Sequence, residues 1–301
     1  MKLWMMFTLL CASLAVQATK SYGTSPNDAP QISPDSSTQS FNPVLQWNRV
    51  LLVIVRTPGA QSPTIHPTRS FAIMHAAIYD AVNSIDRTHK PYLVRLSGVP
   101  QSASQDAAAA VAAHDVLASL YPNPTFQAML DAQLQQSLAP IPEGADKATG
   151  VSVGRKVAAQ ILALRENDGS DAKPIPFVFG NAPGDYQSTP PNFPKQPQFT
   201  HWSRVTPFAL ERANQFRPGP PPALTSDTYS DAFNEVKLLG IANGTGSTPD
   251  QALTGRFWNG AIQNYWNEIA QTAALAHDLT TAQNARLFAL LNLTFADEVI
   301  A

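Results

Sequence analysis

The sequence predicts an all-α fold, and three observations carry that expectation. Apolar residues return every three or four positions in one segment after another, as on one face of a helix. Several of these segments open on serine, threonine or asparagine caps, two of them with glutamine three residues on, and prolines stand at first helical positions. Alanine, leucine and glutamine fill the periodic stretches, and these side chains lose little freedom in a helix. With 301 residues, 44% hydrophobic and 14% charged, the chain can bury a sizeable core and is too apolar for disorder throughout.

Residues 1–18 read as a secretory signal peptide. Lys2 gives the positive start, Leu3 to Val16 is nearly all apolar or small, and Val16-Gln17-Ala18 offers small residues for cleavage. The run is shorter than a bilayer span, so a secreted or periplasmic product with no membrane span is expected after cleavage. Cys11, the only cysteine, leaves with the signal, which excludes disulfides and thiol chemistry. Residues 19–42, rich in Ser, Thr, Asn, Asp and Pro without an apolar period, read as a flexible leader.

The helical domain is placed at residues 43–301. Its first run, Leu45 to Val55, is too short to separate helix from buried extended chain. From Pro67 to Ile85 the residues Phe71, Met74, Ile78, Val82 and Ile85 line one face of a helix. Ser104 to Leu120 gives a second, through Val111 and Leu117, stopped by Tyr121-Pro122. Asn123-Pro124 restarts the chain as cap and first helical residue, and Phe126, Leu130, Leu134 and Leu138 line the third. Glu143 to Arg165 forms the next, ended by Asn167-Asp168-Gly169. Twelve prolines fall within residues 169–222, so neither helix nor central strand persists there. The aromatics of that stretch, from Phe177 to Phe208, predict an ordered loop laid over helices.

Helical spacing returns at Ser226 to Leu239, closed by Gly240. A capping box at Thr248 and Gln251 opens a segment carrying Phe257 and Trp258, and Tyr265 to Leu279 follows. The last segment starts at a second box, Thr280 and Gln283, with Leu287, Leu290, Leu291, Thr294 and Val299 at helical spacing. No glycine, proline or basic turn closes it, so the domain is expected to be truncated at this helix, its apolar face awaiting further chain.

The formal net charge of −2 gives no reason to expect a nucleic-acid partner. None of the six histidines pairs at i, i+4, so the common zinc-protease geometry is missing. His114-Asp115 and His277-Asp278 are adjacent, and helical neighbours point about 100° apart, so neither is expected to form an acid/base dyad. His75 shares a helix with Arg69 and Asp80, for which a buried structural salt link is the expected role. There is no G-x-S-x-G elbow and no glycine-rich phosphate loop. Asn243-Gly-Thr245 and Asn292-Leu-Thr294 match glycosylation acceptors, the second on a helix expected to be buried.

The segments Arg69-Ser-Phe-Ala-Ile-Met-His-Ala-Ala-Ile-Tyr-Asp-Ala-Val-Asn83 and Ala112-Ala-His-Asp-Val-Leu-Ala-Ser-Leu-Tyr-Pro122 resemble the N-terminal half of vanadium-dependent haloperoxidase-like proteins, which belong with the type 2 phosphatidic acid phosphatases. So do Arg217-Pro-Gly-Pro-Pro-Pro-Ala-Leu, Glu235-Val-Lys-Leu-Leu-Gly240, Phe257-Trp258, Trp266-Asn-Glu-Ile-Ala270 and Ala285-Arg-Leu-Phe-Ala-Leu-Leu-Asn292, in the same order. The resemblance implies an all-helical protein of two bundles. It also implies vanadate or phosphate held in the second bundle by K-x6-R-P, P-S-G-H and S-R-x3-G-H-x3-D segments, whose cations and amide donors would neutralise a tetrahedral oxyanion.

This chain departs from those motifs. Leu210 stands where the lysine before Arg217-Pro218 is wanted, no P-S-G-H occurs, and Phe208 follows Ser203-Arg204 where glycine is wanted. No catalytic, cofactor-binding or metal-ligating residue is therefore assigned. The resemblance implies the first bundle of an exported haloperoxidase-like or acid-phosphatase-like enzyme, its oxyanion site beyond residue 301. Vanadate is expected in the full-length family and no cofactor for this chain alone. Expected partners are the missing C-terminal bundle and, for the complete enzyme, halide and peroxide or a phosphate ester. The alternatives are a non-catalytic helical scaffold or binding module, and metal-dependent hydrolysis by scattered His and Asp.

Overall fold

Asn42 caps the first helix. Its Oδ1 accepts from the N–H groups of Val44 and Leu45 at 3.1 and 3.4 Å, and Pro43 takes the first helical position. The computed structural model describes residues 42–62, 64–241, 244 and 246–301; the signal and leader readings up to residue 41, and the acceptor Asn243, lie outside the described residues. The elements are α1 (Pro43–Arg56), α2 (His66–Asp86), α3 (Gln105–Leu120), α4 (Pro124–Leu138), α5 (Ala145–Arg165), a 3-10 turn (Trp202–Arg204), α6 (Asp227–Leu239), α7 (Pro249–Trp258), α8 (Ile262–Ala276) and α9 (Thr281–Ile300). The described residues contain no strand, as the sequence predicts. The run from Leu45 to Val55 proves helical, with Trp47, Leu51 and Ile54 fully buried.

Helix α2 is the axis of the bundle. Seventeen of its 21 residues are buried, because α1, α3, α5 and α9 all pack around it. Helices α3 and α5 approach each other through small residues. A Cβ on Gly154 would stand 2.5 Å from the backbone oxygen of Ala108, and one on Gly150 2.3 Å from that of Ser104. The alanine run Ala107–Ala113 supplies the facing surface. Since the obstructing atoms are backbone, Gly154→Val should destabilise the protein by about 1–3 kcal/mol. A lower urea midpoint with an unchanged m-value would report it.

Helix α9 corrects the sequence reading. Its buried face is Ala285, Phe288, Ala289, Leu293, Ala296 and Ile300, together with Asn284, Asn292 and Asp297, while Leu290 is 49% exposed and Thr294 is exposed. Of the stripe drawn through Leu287, Leu290, Leu291, Thr294 and Val299, Leu290 and Thr294 face solvent while Leu287 and Val299 pack on the rim of the core. Hydropathy alone excludes the polar positions, but these are buried with partners. Asn292 and Asn267 of α8 exchange side-chain amide hydrogen bonds at 2.8 and 3.0 Å, and the Asp297 carboxylate accepts from the N–H groups of Phe208, Ala209 and Leu210. Asn292 is fully buried, so that acceptor motif is closed to glycosylation in the folded chain.

Within residues 169–222 the 3-10 turn is the only helical element. His201, Trp202, Val205 and Phe208 are buried, as expected of a loop laid on helices. The rings of Phe177, Phe179 and Tyr186 instead pack on one another, and Phe193 is exposed. Helices α6 and α7 form where the caps predict them, yet neither has a buried residue, and Phe233, Val236, Leu238, Leu253 and Phe257 face solvent.

Candidate functional site

Three polar clusters stand out, two of them buried and the third, around His114, only partly so. The first surrounds His75 on α2. Its Nε2 lies 3.0 Å from Oδ1 of Asn48 on α1, whose amide donates at 3.0 Å to Gln271 on α8. The ring stacks between Phe71 and Phe288, and no hydrogen-bond partner meets Nδ1. Burial pushes the imidazole down to about 3, so it is neutral at physiological pH. Nothing ionic stands beside it, so the salt link expected for this helix involves Arg69 and not His75 or Asp80. The Asp80 carboxylate is satisfied by three backbone N–H groups, those of Tyr92, Leu93 and Val94, at 2.6–2.8 Å.

The second place is the junction of α2 and α5. Arg69 Nε donates to Oδ2 of Asp168 at 2.8 Å, and Arg165 reaches the same oxygen at 2.8 Å. Arg69 also donates to the Arg165 carbonyl, and Arg165 to the carbonyls of Pro207 and Thr206, with its guanidinium 3.7 Å from the Phe208 ring centre. Burial would raise the Asp168 carboxyl, but the Arg69 guanidinium and the Ser170 N–H outweigh it and hold it below the usual carboxylate range. A cleft of about 610 Å³ opens beside this junction, lined among others by Gln61, His66, Arg69, Ser70, Glu166 and Asp171. Its lining carries both signs of charge.

The third is His114 on α3, with Asp115 and Asp131 within 2.9 Å of its two ring nitrogens. The sequence argument against an adjacent dyad fails here. The backbone angle separates neighbouring Cβ atoms, but the side-chain torsions of His114 and Asp115 bring their tips back to 2.8 Å. His66 and His201 both pack on Trp202, but among the described residues no three His, Cys, Asp or Glu side chains are placed to hold a metal ion. The linking roles of Asp168, Arg165 and Asp297 are absent from the sequence reading. The closing Asn167-Asp168-Gly169 turn, three residues after Arg165, was the signal available for the first pair.

No family model matches the chain, and no curated protein matches it in sequence. Among solved structures it is similar to a bacterial vanadium-dependent iodoperoxidase, with 21% identity and a TM-score of 0.67 over 88% of this chain and 69% of that one. The all-α, haloperoxidase-like fold expected from the segment order is therefore found.

The junction of Arg69 and Arg165 does not fit vanadate. The most buried guanidinium groups, Arg69 and Arg165, converge on a carboxylate and backbone carbonyls rather than on an open space, and the neighbouring cleft adds Glu166 and Asp171. An oxyanion there would meet like charge.

Proposed function

We propose that this chain is the supporting helical bundle of an exported vanadium-haloperoxidase-like or acid-phosphatase-like enzyme, in which residues outside these 301 capture the oxyanion. The observation that carries the reading is the fold likeness to the iodoperoxidase, held over 88% of this chain. The ordered segments from Arg69 to Asn292 and the lack of a K-x6-R-P or P-S-G-H segment support it. Export rests on Lys2 and the apolar run from Leu3 to Val16. Among the described residues no helix is long and apolar enough to cross a membrane.

On this reading α2 and its neighbours provide a rigid base, and the buried histidine and arginines are structural. The 301-residue polypeptide, given orthovanadate, peroxide and halide, should oxidise no halide above the protein-free rate. A product extended along the downstream reading frame should do so or hydrolyse a phosphate ester. A frame closing at once with no such segment, or halide oxidation by the 301 residues themselves, would reject the proposal.

The exposed apolar residues of α6 and α7 favour a second reading, a non-catalytic scaffold that binds through this surface. That reading predicts self-association of the purified chain, lost on replacing Phe233 and Val236 by serine. A monomer at every concentration in sedimentation would remove it.

A further inference from the structure

His114 stands between carboxylates on two different helices. Nδ1 lies 2.8 Å from Oδ1 of Asp115 on α3, and Nε2 lies 2.9 Å from Oδ1 of Asp131 on α4. From α5, Arg155 Nε approaches the other Asp115 oxygen at 3.9 Å, and from α1 the Trp47 ring meets the imidazole edge-on, centroids 6.1 Å apart. An ionised carboxylate only accepts hydrogen bonds, whereas a neutral imidazole has one N–H and one bare lone pair. Imidazolium alone, facing two ionised carboxylates, makes both contacts favourable. Without the extra proton, one ring nitrogen would turn its lone pair on an anionic oxygen.

Helix α4 is the element with most to lose. Leu130 and Ser137 are its only buried residues, and it packs chiefly on α3 with a smaller contact to α1. Its start is tied by the Gln127 amide to the carbonyls of Ala118 and Tyr121, and its end by a long 3.4 Å contact from Ser137 to Gln46. The contact from His114 to Asp131 sits between these ties.

We propose that His114 is a proton-operated latch, whose imidazolium holds the middle of α4 against α3 and whose deprotonation frees Asp131 and loosens that helix. The proton leaves to solvent. Asp131, 64% exposed, turns outward, while Asp115, 27% exposed and facing Arg155, keeps the remaining N–H. Hydrogen bonding to Asp115 raises the pKa of His114, burial opposes it, and Asp131 adds to the rise. The folded value thus exceeds the unfolded one, so the stabilisation is complete below the unfolded pKa and is lost as pH climbs through the folded pKa. The latch is shut below the raised folded value and opens as pH climbs through it. This inference does not depend on the enzymatic reading.

Two measurements on the unaltered protein test it: NMR titration of the His114 ring, and native-state hydrogen exchange of residues 124–138 corrected for the intrinsic pH effect. The expected result is a midpoint above 6.5, with α4 protection falling about tenfold for each unit by which Asp131→Asn lowers that midpoint. Asp131→Asn should lower the midpoint and remove the pH step in α4. A midpoint at or below 6.5, α4 protection indifferent to pH across the titration, or an unchanged step in Asp131→Asn would each overturn the latch.

Discussion

Asp168→Ala should destabilise the protein by about 3–5 kcal/mol, a large share of the stability of an ordinary domain. The carboxylate is 3% exposed and receives both Arg69 and Arg165, the latter itself 4% exposed. Its removal leaves two guanidinium groups facing each other in a poorly solvated junction. The main chain loses a support as well, because Ser170 N–H donates to the same side chain and Arg165 holds the carbonyls of Thr206 and Pro207. Urea unfolding should show the loss as a lower midpoint. Hydrogen exchange should show residues 204–210 opening first. The paired change Arg165→Met with Asp168→Leu should recover much of the deficit, since replacing a whole buried pair is far milder than orphaning one member. A cost below about 1 kcal/mol for Asp168→Ala would mean that water already solvates the junction.

Acidification should weaken the fold well before most carboxylates titrate. His75 is fully buried and its folded value is pushed down to about 3, against an ordinary 6.5. The unfolded chain takes up a proton at this position as pH falls below 6.5, and the folded chain does not until near pH 3. Stability is therefore full above 6.5 and declines through that window by about 1.4 kcal/mol per pH unit at most. Denaturant midpoints of the unaltered protein and of His75→Gln, compared between pH 7 and 5, isolate the effect. The difference in slope should correspond to nearly one proton. Equal slopes would place a proton on His75 in the native state, with Nδ1 finding an acceptor. The Asp168 carboxylate acts at lower pH, its depressed folded value costing stability only as pH falls below the ordinary carboxylate range.

The helices were legible because local signals sufficed for them. Capping boxes at Thr248 with Gln251 and at Thr280 with Gln283 form as the spacing predicts, and Ser104, Asn123 and Ser226 cap α3, α4 and α6, whereas Asn42, read as the end of the leader, is buried and caps α1. The core positions Phe71, Met74, Ile78, Val82 and Ile85 of α2 are buried, as their period requires. Faces were less legible. On α9 the core side is set by Asn284, Asn292 and Asp297 as much as by apolar residues, and the partners of Asn292 and Asp297 come from α8 and from the loop at Phe208. The contact between His114 and Asp115 escaped for a related reason: spacing fixes the direction of Cβ but not of the side-chain tip.

By itself the sequence determined that the protein is built of helices, where most of them start, and a resemblance in segment order to haloperoxidase-like proteins. Those properties reside in short stretches of chain, in caps, proline positions and the helical period. Only the tertiary structure decided which residues meet. It joined Arg69 to Asp168 across 99 positions and Asn48 to Gln271 across 223. It left α6 with no buried residue although its period is that of an amphipathic helix, and α7 with none although a capping box opens it. Burial and pairing are properties of the packed ensemble of elements, and a period along one helix records that a face is apolar without recording what lies against it.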